Sequence, residues 1–161
     1  MVCIVASFIA HAGEQRTARA KCAASQPIAI ELQRLQGTWE GVMVGDKSND
    51  KYIITITGNS FHFHRDSNFW FATTITLRVD TDPRQLHATI KDCARGQENS
   101  VGKVVVAIFK IEDGSLTLAA RGDGGEETPK SFEATEDKGL TRYELRKVQP
   151  QKRNTEPPKT K

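Results

Sequence analysis

Residues 58–66 read GNSFHFHRD and place His62, His64 and Asp66 at successive alternate positions. Imidazole and carboxylate are both zinc ligands, and residues two apart on a strand share a face, so a sheet can use this spacing to hold a metal. A structured zinc site takes three or four protein ligands, so neighbouring strands must supply the remainder. Gly58-Asn59 has the composition of a two-residue hairpin loop, which fixes the pairing. Thr57 then faces Ser60, Ile56 faces Phe61, Thr55 faces His62, Ile54 faces Phe63 and Ile53 faces His64. The imidazoles meet only Ile53 and Thr55. In the following strand Phe69, Phe71, Ile75 and Leu77 fall on one side and Trp70, Ala72, Thr74 and Thr76 on the other, with no ligand among them. His87 lies further along the sheet, where each strand adds about 4.8 Å. The pattern predicts outward, solvent-facing histidines and no metal site, with Asp66 opening the next turn through its side chain.

Other catalytic arrangements lack local support. The serines stand in turns without an elbow motif around a nucleophile. Glu126 and Glu127 are paired carboxylates in a loop and read as solvated. The segment GDGGEE over 122–127 has neither the strand-to-helix context of a phosphate loop nor the ligand spacing of a calcium loop, so it reads as an acidic surface loop. The expectation is a protein with no catalytic residue, no metal and no cofactor, and therefore not an enzyme. A metal-dependent hydrolase is the alternative, and a pocket in which titratable groups converge would distinguish it.

The elements that must carry these residues are mostly strands. Ser25 can cap a short helix with Pro27 in its first turn and Ile28, Leu32 and Leu35 on one face, closed by Gly37. The pattern then switches to period two. Strands are expected over Thr38 to Val44, Tyr52 to Thr57, Ser60 to Arg65, Trp70 to Val79, Gln85 to Lys91, Lys103 to Ile111, Ser115 to Ala120 and Thr141 to Lys147. Glu112-Asp113-Gly114 marks a second hairpin, and Asp80-Thr81-Asp82-Pro83 an open turn. The hairpin register gathers Tyr52, Ile54, Ile56, Phe61 and Phe63 on an inner face. Phe61, Phe63, Phe69 and Phe71 are then expected to fill the interior with side chains rather than to line a hollow.

A chain of 161 residues suits one domain, able to bury roughly 70% of its unfolded surface. The net charge of +3 resides in residues 149–161, where Lys152, Arg153, Lys159 and Lys161 oppose Glu156 alone. The folded part is neutral, which argues against nucleic-acid binding. At the other end, the apolar run Val2 to Ala10 precedes Ala10-His11-Ala12, the small-x-small pattern of a signal peptidase site, although no basic residue comes before it. This run is far shorter than the about 20 residues of a membrane span. The chain thus divides into a signal segment (1–12), a flexible leader (13–25), a barrel domain (26–148) and a disordered basic tail (149–161), and the protein is expected outside the cytoplasm. A disordered apolar N-terminus on a cytoplasmic protein is the other reading. Cleavage would leave Cys22 and Cys93, which either pair or stand as one loose and one buried thiol.

LQGTWEGV over 35–42 holds a Gly-x-Trp just after the helix. Together with YIITITGNSFHFHRD, the Asp82-Pro83 turn followed by QLHATIKD, the IFKIEDGSLTLAA hairpin and the terminal YELRKV, it resembles a family of small lipocalin-like domains of unknown function abundant in planctomycete bacteria. The resemblance implies an all-β, antiparallel barrel of about eight strands with a short N-terminal helix. It also implies that Trp39 packs across the closed end and that Arg142 or Arg146 stacks on it. The Thr-Asp-Tyr loop of lipocalins is replaced here by Thr81-Asp82-Pro83. The family carries no established activity. The expected role is binding, either of a small apolar molecule in the barrel mouth or of a protein partner on the surface, by a monomer.

Overall fold

The computed structural model describes residues 26–48, 50–121, 127–133 and 139–149. The expected signal segment, the expected leader with Cys22, the expected helix cap Ser25, loop residues 122–126 and the expected tail from residue 150 lie outside the described residues. Among the described residues eight strands follow a helix α1 over residues 26–35. They are β1 (Gly37–Met43), β2 (Lys51–Thr57), β3 (Ser60–Asp66), β4 (Phe69–Arg78), β5 (Arg84–Cys93), β6 (Val104–Glu112), β7 (Ser115–Arg121) and β8 (Leu140–Lys147). Every strand pairs with its neighbours in chain order, and β8 returns to pair antiparallel with β1. The result is a closed, antiparallel, lipocalin-like barrel. Among the described residues no helix is long and apolar enough to cross a membrane.

Local chemistry explains the up-and-down order. The Asp113-Gly114 loop holds both residues at positive φ, 49° and 74°, the backbone that a type I′ hairpin demands and that Asp-Gly tolerates. The first hairpin takes the predicted register, with Ile53 opposite His64 and Thr57 opposite Ser60. On β2, Tyr52, Ile54 and Ile56 are buried and alternate with more exposed residues. Closure depends on Gly41, whose missing side chain lets β1 lie against β8. A Cβ there would collide with the Glu144 carbonyl oxygen and stand 2.7 Å from Leu145 Cα.

One end of the barrel is plugged. Leu35 and Trp39 are fully buried with Ile54, Ile56, Phe109, Leu116 and Leu145. The Trp39 indole donates to the Leu35 carbonyl at 2.8 Å, tying the end of α1 to the first strand. Gln36 clamps the same junction to the first hairpin, accepting from Gly58 N at 2.7 Å and donating to its carbonyl at 3.1 Å. The buried face of α1 differs from the predicted one. Ile28 is exposed, Leu32 is half-buried, and Glu31 takes the inward position one turn before Leu35. A carboxylate is tolerated there because Arg34 and Arg84 each approach Glu31 Oε1 at 2.9 Å.

Neither Arg142 nor Arg146 stacks on the indole. Trp39 pairs with Lys147, and the inward series on β8 is Tyr143, Leu145 and Lys147, so both arginines point outward by parity. It is the Lys147 ammonium that lies over the Trp39 ring, 5.1 Å from its centroid. Arg142 instead holds the segment 127–133 against the outside of the barrel, donating to the Phe132 carbonyl at 3.3 Å and pairing with Glu133. Phe132 sits beneath Lys110, Pro129 is buried, and the outward residues Val106, Ile108 and Ala119 on this side are buried as well. This second, smaller apolar layer lies on the outside of β6 and β7.

Candidate functional site

The half of the barrel away from Trp39 is hollow. On one wall the inward positions there are small, with Ala88 on β5, Ala107 on β6 and Ala120 on β7, whereas the plugged half carries Leu, Ile, Phe and Trp. Small residues facing one another leave space that the larger side chains do not reach across. The space is a cavity of about 330 Å³.

Its aromatic wall is made by the residues that the alternation assigns to the inner face. Phe61, Phe63, Phe69 and Phe71 all line it, together with Tyr143. They line a hollow rather than filling the interior, and Phe63, Phe69, Phe71 and Tyr143 pack ring against ring along the wall. Phe63 meets Tyr143 at 5.3 Å and Phe69 at 6.0 Å between ring centroids, and Phe69 meets Phe71 at 5.5 Å, all edge to face. Tyr52 extends the row by contacting both Phe63 and Tyr143. Edge-to-face contacts of this kind are worth about 0.5–1.5 kcal/mol each beyond burial, enough to hold the rings against one wall. The Arg65 guanidinium caps the row 4.5 Å from the Phe69 centroid, and Asp66 anchors that arginine at 2.7 Å.

The rim brings in polar groups that the sequence reading did not single out: Ser100, Lys103, Arg121, Thr141 and the Tyr143 phenol. The available signal was parity. Lys103 continues inward the series Val105, Ala107, Phe109, and Thr141 continues Tyr143 and Leu145. Burial, followed by the nearby Tyr52, raises the Tyr143 phenol well above its ordinary value, so it stays protonated and able to donate a hydrogen bond. Thr73 also lines the cavity, but its hydroxyl is used on the Phe61 carbonyl at 3.0 Å. Leu86, Ile90 and Leu118 complete the apolar floor.

The histidines stand where the register put them, exposed on the outside of β3 and paired to Ile53 and Thr55. Asp66 opens the β3–β4 turn, accepting from Asn68 N at 2.7 Å. Its carboxyl is lowered by Arg65 first and then by that backbone N–H. His87 is on the outside of β5, turned toward Gln85. Among the described residues no three His, Cys, Asp or Glu side chains gather in a way that could hold a metal ion. Glu127 is exposed and pairs with Arg121 at 3.3 Å, while Glu126 lies outside the described residues. Cys93 is a buried free thiol opposite Phe71, beyond a shift of register in β5. Burial, then the carboxylates of Glu98 and Asp92, push its ionisation up, which makes it a poor nucleophile. Among the described residues no His, Cys, Asp or Glu lines the cavity.

What the arrangement can do is hold an apolar molecule against a fixed aromatic wall and meet its polar end at the rim. No family model, curated protein or solved structure matches this chain.

Proposed function

We propose that this chain is an exported, monomeric, non-enzymatic binding domain of the small lipocalin-like kind, and that it takes a small apolar molecule into the open half of its barrel. The observation that carries this reading is the cavity of about 330 Å³ behind the Phe63, Phe69 and Phe71 wall. Its volume falls at the lower end of the roughly 300–1,000 Å³ found for ligand pockets, and its mostly apolar lining with a few rim polar groups is their usual make-up. The sequence blocks around Gly37-x-Trp39 support the family reading. The Val2 to Ala10 run with Ala10-His11-Ala12 supports export, and a barrel without sheet edges supports a monomer. The cavity favours a small ligand over a protein partner. A hydrolase would need a nucleophile and base, or metal ligands, facing the substrate, and among the described residues the lining offers Lys103, Arg121 and Tyr143 as its titratable groups.

The test is titration of the purified chain with 1-aminoanthracene, a neutral fluorophore of suitable size. Saturable, blue-shifted enhancement at one site per chain is expected. Ala120→Leu, which fills the cavity from β7, should weaken it at least tenfold without loss of the folded β spectrum. Absence of a saturable signal, or equal binding by the filled variant, would overturn the reading.

A further inference from the structure

The cavity's charge says more than its apolarity. Three features of the rim point the same way. Among the described residues its lining includes Lys103 and Arg121 and no carboxylate. Among the described residues, the acidic side chains around this end of the barrel have partners of their own: Glu127 pairs with Arg121, Glu144 pairs with Arg142, Asp46 accepts from Ser48 N at 2.9 Å, Glu98 accepts from Gly96 N at 2.9 Å, and Asp92 accepts from Cys93 N at 2.9 Å. Lys103 itself is exposed and inward by parity at the start of β6, and among the described residues no acidic side chain pairs with it. The same lining holds hydroxyl-bearing residues, Ser100, Thr141 and Tyr143.

An ammonium at the lip of a low-dielectric hollow attracts a negative charge and repels a positive one, and hydroxyl donors reinforce the same preference. A neutral alcohol gains little from that rim, and an amine is disfavoured. The floor of Leu86, Ile90 and Leu118 calls for hydrocarbon at the other end. Since an apolar cavity of about 150 Å³ takes up one benzene, this one accommodates roughly a dozen non-hydrogen atoms.

We infer that the cavity takes a small amphipathic monoanion, with an apolar body of about ten carbons against the aromatic wall and a carboxylate-type head at Lys103. This rests on the apolar-cavity reading above and narrows it to one charge class. Arg121 contributes to the field, but its pairing with Glu127 leaves Lys103 as the head-group contact.

The experiment compares decanoate, decan-1-ol and decylamine by calorimetry on the full chain at pH 7 and low salt. Decanoate is expected to bind at least tenfold more tightly than decan-1-ol, with decylamine weakest. Rising salt should weaken decanoate alone, because the contact is at a solvent-facing rim. Lys103→Gln, on an exposed position, should bring decanoate to the level of decan-1-ol and leave the alcohol unchanged. If the alcohol binds as well as decanoate, the anion assignment fails while the apolar cavity stands. A decanoate preference that survives Lys103→Gln overturns the assignment of the head to Lys103. Binding by none of the three removes both readings.

Discussion

Replacing Trp39 by Ala should cost about 3–5 kcal/mol, the range for deleting a buried aromatic side chain. Three interactions make up that loss. The ring is 1% exposed and fills the plugged end, so most of the cost is the space it vacates. The indole N–H satisfies the Leu35 carbonyl at 2.8 Å, and leaving a buried acceptor unpaired costs about 1–3 kcal/mol. The Lys147 ammonium above the ring adds about 0.5–1 kcal/mol, the lower range for a cation on an exposed side chain. Each can be isolated. Trp39→Phe keeps most of the ring and loses the N–H, with an expected cost of about 1–3 kcal/mol. Lys147→Met keeps the chain and loses the charge, for less than about 1 kcal/mol. The double variant Trp39→Ala with Lys147→Met should fall short of additivity by about the cation term. Urea denaturation followed by far-UV circular dichroism measures all four, and the alanine variant should melt on the order of 10 °C lower. A loss below about 1 kcal/mol for Trp39→Ala would mean that the plug does not support the barrel, and the reasoning from burial would fail.

Two further outcomes follow from named groups. Because burial and Tyr52 hold the Tyr143 phenol above its unfolded value of 10.0, its neutral form stabilises the fold below that pH. That contribution is lost progressively as pH rises above about 10, toward the folded value. Absorbance at 295 nm should therefore show one tyrosine ionising only with unfolding, and Tyr143→Phe should flatten the alkaline loss of stability. A phenol titrating normally in the folded protein would show it to be solvated. His62→Ala combined with His64→Ala should leave stability within about 1 kcal/mol and zinc affinity no better than that of any exposed imidazole pair, because Ile53 and Thr55 face them. A stoichiometric zinc retained through dialysis and released by the double substitution would contradict the register.

The sheet was legible because its signals are local. A two-residue turn fixes register, and alternation fixes face, so the His62–Thr55 and Phe63–Ile54 pairs could be written down from residues 52–66 alone. Strand ends moved by only a residue or two from their expected places. The misses lie where position in three dimensions decides. Arg142 and Arg146 looked like partners for Trp39 by residue type, but both have outward parity, and a lysine at the end of the strand reaches over instead. Ile28 looked buried by spacing, yet two arginines from different parts of the chain make Glu31 the better inward residue. Most consequential is the hollow. Four phenylalanines on an inner face suggest a filled core. That conclusion ignores the alanines 88, 107 and 120, whose mutual proximity depends on three strands lying side by side. Parity alone marks the rim lysine as inward, but Lys103 acquires meaning only once Thr141 and Ser100 are seen to line the same cavity.

The plug places both flanks of the barrel at one pole. Residues 26–35 lead into β1 across the Trp39 end, and β8 finishes there, with Val148 N donating to the Thr38 carbonyl at 2.8 Å. The chain therefore arrives and departs on the side opposite the cavity. Whatever is attached through either flank, whether a surface, a resin or another folded unit, will hold the barrel like a cup by its base. Immobilisation through a site next to residue 26 or residue 149 should leave ligand uptake kinetics close to those in free solution, whereas insertion into the Ser67-Asn68 turn would stand an obstacle at the lip.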